Sequence, residues 1–260
     1  MARRQPEGPP PAPVVQRIRI RYAKRGRLRF SSHRDFARAF ERSLRRAEIP
    51  MAYSAGFHPH PKISYVGAAP TGVGSEAEYL EIALAEERDP GQLRAELDGV
   101  LPDGLDIVTA VDAADCPPGS LADQMHASLW RLEIAAQPAE LETAVGKLLA
   151  TDSVLVERLT KDGRRTLDAR APIVSAVVCG DSSVPGRAII DLVVRQVTPT
   201  VRPDDVFTAL QSVAGFAPSQ PPRATRLAQG PIDDAGAVGD PLRKTIKTTL
   251  SSTEEPAGTR

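Results

Sequence analysis

The predicted secondary-structure elements of this chain follow one order twice, and this repeat restricts the folds that the chain can adopt. Arg17–Tyr22 alternates basic and apolar residues with the period of two that is typical of a strand with one buried face. A helix, two or three further strands, a second helix and a closing strand follow it. From Ala127 the same order returns, after a segment that contains Pro117-Pro118-Gly119. We therefore expect two similar units joined by a short connection.

The order strand–helix–strand–strand–helix–strand predicts an α+β fold of tandem ferredoxin-like sandwiches, with two antiparallel sheets that are each covered by helices. The first ferredoxin-like domain is predicted over residues 16–113, the linker over 114–125 and the second domain over 126–229. Residues 1–15 are rich in proline, and residues 230–260 are rich in Gly, Pro, Ser, Thr and Glu. These two segments are predicted to be a disordered leader and a disordered tail.

One helix of the first unit, predicted over His33–Glu48, has two opposite faces. Ser32 and Asp35 form the pattern of a capping box at its start, and Pro50 ends it. Its apolar residues recur at spacings of four and three and predict a buried face: Phe36, Phe40, Leu44 and Ala47. Its arginines recur at spacings of four, four and three and predict a cationic stripe on the other face: Arg34, Arg38, Arg42 and Arg45.

Shortly after this helix, the segment Gly56-Phe-His-Pro-His-Pro-Lys62 combines a turn glycine with two histidines, two prolines and a lysine. The prolines stiffen the backbone and favour an extended conformation for His58 and His60, so the two imidazoles are expected to face the same way. A core segment needs an apolar periodicity that this one lacks. We therefore interpret it as a functional loop.

Charge is unevenly distributed along the chain, although its net charge is zero. Residues 17–46 hold twelve basic side chains and two acidic ones, whereas residues 76–106 hold ten acidic side chains and two basic ones. A cationic helix near aromatic residues such as Tyr53 is typical of RNA binding, because arginines contact phosphates and aromatic rings stack on unpaired bases. The predicted RNA-binding residues are Arg19, Arg21, Lys24, Arg34, Arg38, Arg42, Arg45, Phe57, His58, His60, Lys62 and Tyr65. The alternative is that the arginines pair with the acidic segment and form solvated faces.

Seven strings carry a resemblance to a known family. They are Arg19-Ile-Arg-Tyr-Ala-Lys24, Leu28-Arg-Phe-Ser-Ser-His-Arg-Asp35, Arg42-Ser-Leu-Arg-Arg-Ala47, Gly56-Phe-His-Pro-His-Pro-Lys-Ile63, Gly72-Val-Gly-Ser-Glu-Ala-Glu-Tyr79, Thr198-Pro-Thr-Val-Arg-Pro203 and Arg223-Ala-Thr-Arg-Leu227. The chain resembles a family of unknown function that is linked to radical S-adenosylmethionine (radical SAM) enzymes. In that family the domain is either fused behind a radical SAM module or separate, and it often lies beside genes for an RNase E/G-type endonuclease and ribosomal proteins. The resemblance implies work on RNA.

The cysteines decide which form of that family the chain resembles. Cys116 and Cys179 are isolated, whereas radical SAM chemistry needs three cysteines from a Cys-x3-Cys-x2-Cys loop to hold an iron–sulfur cluster. The resemblance therefore implies a free-standing accessory protein whose partners are RNA and a separate radical SAM enzyme. We expect no resident cofactor or metal.

Two other functions remain open. His33, His58 and His60 would suit a metal-independent RNA endonuclease, in which one imidazole removes the 2′-hydroxyl proton and another group protonates the leaving oxygen. The second is a protein-only scaffold for the radical enzyme. His58 and His60 with Glu76 or Glu78 would also suit zinc, although His-Pro-His is more often a hydrogen-bonding turn. We expect no independent catalytic activity.

Hydrophobic residues make up 41% of the chain, but none of its apolar runs approaches the 18 or so residues that cross a membrane. The first residues also lack the apolar stretch of a signal peptide. We therefore expect a cytoplasmic protein.

Overall fold

The chain has two halves that share one order of strands and helices, apart from an additional β-hairpin in the second half. The computed structural model describes residues 11–161, 163–181 and 186–244, and within them the chain forms ten strands and four helices. The first half contains β1 (Gln16–Lys24), α1 (His33–Arg46), β2 (Ile63–Val66), β3 (Gly74–Leu84), α2 (Pro90–Asp98) and β4 (Leu105–Asp112). The second half contains β5 (Ala127–Ile134), α3 (Pro138–Leu149), β6 (Leu155–Thr160), β7 (Gly163–Asp168), β8 (Ile173–Asp181), β9 (Ala188–Arg195), α4 (Pro203–Ala214) and β10 (Arg223–Gly230).

Both halves contribute to a single mixed sheet, which differs from the predicted pair of antiparallel sheets. Its strand order is β4-β1-β3-β10-β5-β9-β8, and β2 also pairs with β3. The pairs within each half are antiparallel, whereas β10 of the second half pairs parallel with β3 of the first. The predicted α+β class is confirmed, and the two sheets are joined because β3 is longer than its partner β2. Residues Tyr79–Ile82 pair with β2, which leaves Gly74 and Ser75 of the same edge for β10.

Each half has its own apolar core. In the first, Phe36, Phe40 and Leu44 of α1 pack on alternate residues of β1, β3 and β4. In the second, α3 and α4 pack on β5 and β9, and the hairpin β6–β7, which forms a separate two-stranded sheet, adds Val156 and Leu167. In the described ranges, none of the helices is long and apolar enough to cross a membrane.

The start of α1 has the predicted capping box. The Asp35 backbone N–H donates to Ser32 Oγ (3.2 Å), and the Ser32 backbone N–H donates to Asp35 Oδ2 (3.2 Å). Each bond satisfies a backbone N–H that has no partner within the helix. The local sequence therefore determines where this helix begins.

The predicted linker, residues 114–125, packs against the sheet. Cys116 and Leu121 are buried in a small cluster with Ala77 and Tyr79, which alternate with the core-facing residues of β3 and so lie on its other face. Arg19 is 5% exposed and donates from β1 to the carbonyl oxygens of Pro117 (3.1 Å) and Gly119. The linker therefore covers the sheet face that the helices leave open.

The first part of the predicted tail is packed in the same place. Leu242 is buried in this cluster, and the Asp240 carboxylate accepts a hydrogen bond from Tyr79 Oη (3.3 Å) and pairs with Arg21 (3.5 Å). Residues 245–260 of the predicted tail and residues 1–10 of the predicted leader lie outside the described residues.

A buried ion pair ties the two halves together at the β10–β3 junction. Arg226 donates through Nη2 to the carboxylate of Glu78, and both residues are buried. Glu78 also accepts a hydrogen bond from the Ala69 backbone N–H (3.0 Å).

We expect Arg226→Met to lower the free energy of unfolding by about 3–5 kcal/mol, because it leaves the Glu78 carboxylate buried without its cation. The control is Arg17→Met, which removes one of the two arginines that pair with Glu81, at a half-exposed position, and is expected to cost no more than about 1 kcal/mol. Denaturant unfolding followed by far-UV circular dichroism measures both values. Equal costs would show that the junction does not depend on the buried pair.

Candidate functional site

The arginine stripe of α1 lies on the exposed surface, opposite the buried Phe36, Phe40 and Leu44. Within the described part of the chain, none of the four stripe arginines forms an ion pair. Hydrogen bonds from Ser32 hold the pKa of the neighbouring Asp35 below its ordinary value, and the charges of Arg38 and Arg34 add to this shift. The stripe is therefore an exposed row of arginines that form no ion pair, and Asp35 and Glu41 are the acidic residues of the same helix.

Arg19 and Arg21 of the predicted set, and Arg25 beside them, form ion pairs within the fold. Arg25 pairs with Glu76 and Asp106, and these contacts raise the pKa of its guanidinium. Arg19 pairs with Glu81 (3.0 Å), and Arg21 pairs with Asp240. The alternative in which basic residues pair with the acidic segment thus describes Arg17, Arg19 and Arg25, but not α1.

Lys24, another predicted RNA-binding residue, is buried at the end of β1. Its amine lies 3.4 Å from the Ala69 carbonyl oxygen and 3.3 Å from that of Pro70. Burial lowers the pKa of this amine, and the nearby positive charge of Arg226 acts in the same direction. Lys24 therefore belongs to the buried polar junction and not to the outer surface.

The predicted loop forms the tip of a hairpin that extends from the first half. The Ser54 backbone N–H donates to the His60 carbonyl oxygen (2.9 Å), and the His60 backbone N–H donates to Ser54 Oγ (3.1 Å). These bonds close the tip, in which Phe57 is 64% exposed and His58, like His60, is exposed. Lys62 is also exposed at its base. The tip follows Met51, which pairs with Leu84 at the end of the sheet where α1 ends.

The structure does not bring His33 together with His58 and His60. His33 is the first residue of α1, and its ring lies edge-on to Tyr65, with 4.9 Å between centroids. The loop histidines are near the other end of α1, which at 14 residues is about 20 Å long. Among the described residues, no group of three or more His, Cys, Asp or Glu side chains is arranged to hold a metal ion.

Tyr65 packs against α1 and is not an open stacking surface. Its ring also lies edge-on to Phe36 (6.0 Å), and its hydroxyl is buried without a hydrogen-bond partner. Burial raises the pKa of this hydroxyl well above its ordinary value. The predicted role of Tyr65 in stacking on bases has no geometric support.

Phe30 is an aromatic residue that the predicted RNA-binding set does not include. It lies just before α1, is 59% exposed, and has the Arg29 guanidinium 4.7 Å from its ring centroid. Arg29, Phe30, Arg187 and Arg223 line a cleft of about 510 Å³ between the two halves. The sequence signal for Phe30 is an arginine–aromatic pair, Arg29-Phe30, directly before the capped helix.

A second cleft, of about 610 Å³, lies at the junction of the two halves. Residues from distant segments line it, among them Thr71, Ser128, Arg202 and Arg226. Two strings that carry the family resemblance, Thr198-Pro-Thr-Val-Arg-Pro203 and Arg223-Ala-Thr-Arg-Leu227, contribute to the lining. The sequence contains these residues, but only the fold shows that they converge.

We expect Tyr65→Phe to raise the free energy of unfolding by about 1–2 kcal/mol, because the change removes a buried hydroxyl that has no partner and keeps the ring. Tyr79→Phe is the matched control, since Tyr79 donates its hydroxyl proton to Asp240, and this change should lower the free energy of unfolding by about 1 kcal/mol. Denaturant unfolding of both variants measures the difference. A loss of stability in Tyr65→Phe would show that the hydroxyl has a partner.

The comparisons with known proteins concern the family of the chain. None of the curated proteins compared with the chain matches it. The model of a family described as an uncharacterized protein conserved in bacteria, DUF2344, matches residues 17–203. This match does not link the family to radical SAM chemistry. It spans most of the 260 residues, from β1 to the start of α4. The chain therefore belongs to the DUF2344 family of bacterial proteins.

Proposed function

We propose that this protein binds RNA through the exposed face of α1 and the hairpin tip, and that it presents the RNA to a separate radical SAM enzyme. The observation that carries the proposal is the contrast between two groups of arginines. The arginines of β1 and Arg25 of the following turn are paired with carboxylates, whereas the arginines of α1 are exposed and form no ion pair in the described part of the chain.

Phosphate contacts would supply most of the affinity. Each arginine that neutralises a phosphate releases counterions from the nucleic acid, so binding by a cationic stripe is strong at low salt and falls as salt rises. Four arginines along one helix face match this mode because they follow one line on the surface. The residues of the proposed interface are Arg34, Arg38, Arg42, Arg45, Phe57, His58, His60 and Lys62.

Unpaired bases would contact aromatic groups at both ends of α1. Phe57 is exposed at the hairpin tip, and Phe30 is exposed before the start of the helix. Stacking on such rings tolerates any base and contributes about 1–3 kcal/mol for each one. This arrangement favours single-stranded or loop regions of RNA over a regular duplex.

We also infer that each half is a ferredoxin-like unit. The strand orders β4-β1-β3-β2 and β10-β5-β9-β8 correspond strand for strand when β8, β9 and β10 are matched with β2, β3 and β4. In each half a helix follows the first strand and another follows the third. This repeat supports the term ferredoxin-like for each half, although both halves share one sheet.

The radical SAM partner rests on the resemblance of the sequence strings. A free-standing protein of this kind would bind the substrate while the partner supplies the radical chemistry. A protein-only scaffold is the alternative, and the exposed acidic residues around α2, such as Glu86, Glu87 and Asp103, would then contact a basic partner. An RNA endonuclease has less support, because His33 lies away from His58 and His60.

The triple variant Arg38→Gln, Arg42→Gln and Arg45→Gln is expected to weaken binding of a single-stranded RNA. It should also flatten the slope of log affinity against log salt by up to about 0.7 for each phosphate that the protein no longer neutralises. Fluorescence anisotropy over a series of salt concentrations measures both quantities. The fold should be unchanged, because these arginines lie opposite the buried face of α1.

The matched control removes three arginines that are paired with carboxylates: Arg17→Gln, Arg88→Gln and Arg164→Gln. Its change in net charge is the same, so weaker binding that is confined to the α1 variant assigns the binding to the stripe. If the α1 variant binds RNA like the parent at every salt concentration, the stripe is not the RNA surface. Salt-resistant co-purification of a radical SAM enzyme without RNA would favour the scaffold.

We expect His58→Ala and His60→Ala to weaken RNA retention while changing the free energy of unfolding by no more than about 0.5 kcal/mol, because both side chains are exposed on a hairpin tip. Filter binding and denaturant unfolding measure the two effects. The control is His126→Ala, an exposed histidine at the start of the second half, which should leave both unchanged. A large loss of stability in either loop variant would make these histidines structural.

A further inference from the structure

We propose that the 610 Å³ cleft at the junction of the two halves binds a nucleotide through its phosphate monoester. This site is separate from α1, and the proposal does not rest on RNA binding by the stripe. Its support comes from the charge of the lining, a serine hydroxyl inside the cleft, and a floor that is held by a network of hydrogen bonds.

The charge of the lining has one sign. Of the described residues that line the cleft, the ionisable ones are Arg195, Arg202 and Arg226, and no aspartate or glutamate is among them. Arg195 and Arg202 are exposed at the rim and form no ion pair within the described ranges. A concave surface with arginines of this kind attracts anions, and the planar guanidinium suits phosphate oxygens.

The buried carboxylate at the start of α4, that of Asp205, is engaged by other groups. Asp205 accepts two hydrogen bonds from Arg158, at 3.0 and 2.6 Å, and a third from the Arg202 backbone N–H at 2.7 Å. Arg202 therefore has its backbone tied to Asp205, while its side chain forms no ion pair with this or another described carboxylate. This arrangement keeps the rim positive.

Ser128 provides a polar group inside the cleft. It lies on β5, is 7% exposed and lines the cleft. A hydroxyl can donate to a phosphate oxygen, so Ser128 would donate a hydrogen bond to a phosphate bound in the cleft.

The floor of the cleft is held by a network of buried side chains. Arg226 contacts Ser75 Oγ (3.4 Å), the Glu78 carboxylate and Gln229 Oε1 (3.0 Å). Gln229 in turn donates to the Ala77 carbonyl oxygen (2.8 Å). These contacts fix the floor before any ligand arrives, which lowers the entropy that binding costs.

The apolar part of the lining selects for more than an inorganic anion. Trp130, with the Arg226 guanidinium 5.3 Å from its ring centroid, forms the wall together with Val194 and other apolar residues. A cavity of this size matches the range of about 300–1,000 Å³ that small-molecule sites occupy. A ligand with a phosphate and a planar organic body therefore fits both parts of the lining.

The test measures binding of AMP, GMP, CMP and UMP to the full chain by isothermal titration calorimetry, with adenosine and inorganic phosphate as controls. We expect at least one mononucleotide to bind at least ten-fold more tightly than either control. The double variant Arg195→Gln and Arg202→Gln should weaken this binding at least ten-fold, and Ser128→Ala should weaken it several-fold. The control variant, Arg165→Gln and Arg243→Gln, removes two exposed arginines that do not line the cleft and should bind like the parent.

Two further binding experiments identify the molecule that carries the phosphate. Competition with the mononucleotide by a 5′-phosphorylated RNA oligonucleotide, but not by the same RNA with a 5′-hydroxyl, would support the end of an RNA chain as the ligand. Mononucleotide binding without such competition would support a free nucleotide. The α1 triple variant should bind the mononucleotide like the parent, so this site and the stripe are tested separately.

The proposal is overturned if no mononucleotide binds the parent with a dissociation constant below about 1 mM, the weak end of the usual affinity scale. It is also overturned if the Arg195/Arg202 double variant, shown by circular dichroism to be folded, binds as well as the parent. Equal binding of the mononucleotide and adenosine would likewise exclude recognition through the phosphate.

Discussion

The buried contact between Arg226 and Glu78 is the interaction on which the relation of the two halves depends. Only two pairs of residues set the register between β10 and β3, Thr225 with Gly74 and Arg226 with Ser75. So short a ladder leaves most of the specificity to side chains. Taking both charges out of water costs free energy, and their mutual attraction offsets this cost only when the geometry is good and other hydrogen bonds are present. Ser75, Gln229 and the Ala69 backbone N–H provide these bonds.

Arginine has two roles in this protein, and its position in the fold decides between them. β1 lies inside the sheet between β3 and β4, and the linker covers its second face, so Arg19 is enclosed by Glu81 and by carbonyl oxygens. α1 has only one side on the core, so its arginines remain in water. The net charge of the chain is zero, but the surface of α1 is locally positive. Carboxylates pair with the arginines of β1 and with Arg25 and leave the helix positive.

The two candidate sites differ in rigidity and in the ligand that they suit. The face of α1 and the hairpin tip are open and convex, which suits a long polyanion that can be recognised at several points. The junction cleft is concave and has a fixed floor, which suits a small part of a ligand held in one orientation. If the ligand of the cleft is the end of an RNA chain, both sites would act on one molecule. If it is a free nucleotide, the cleft would bind a small molecule at the junction of the two halves.

Local patterns in the sequence were sufficient to predict the elements and the stripe. The capping box at Ser32 and the spacings along α1 depend on contacts within a few residues, and the structure shows them as predicted. The α+β class followed from the order of elements. By contrast, the burial of Arg19 and Lys24, the contact of His33 with Tyr65 and the convergence of Ser128, Arg202 and Arg226 on one cleft join residues far apart in the chain. Periodicity describes which residues share a face of one element, but not which element covers that face. The tertiary structure determines which element covers each face. The pairing of the free edge of β3 with β10 brings the two halves into one sheet and creates the cleft between them.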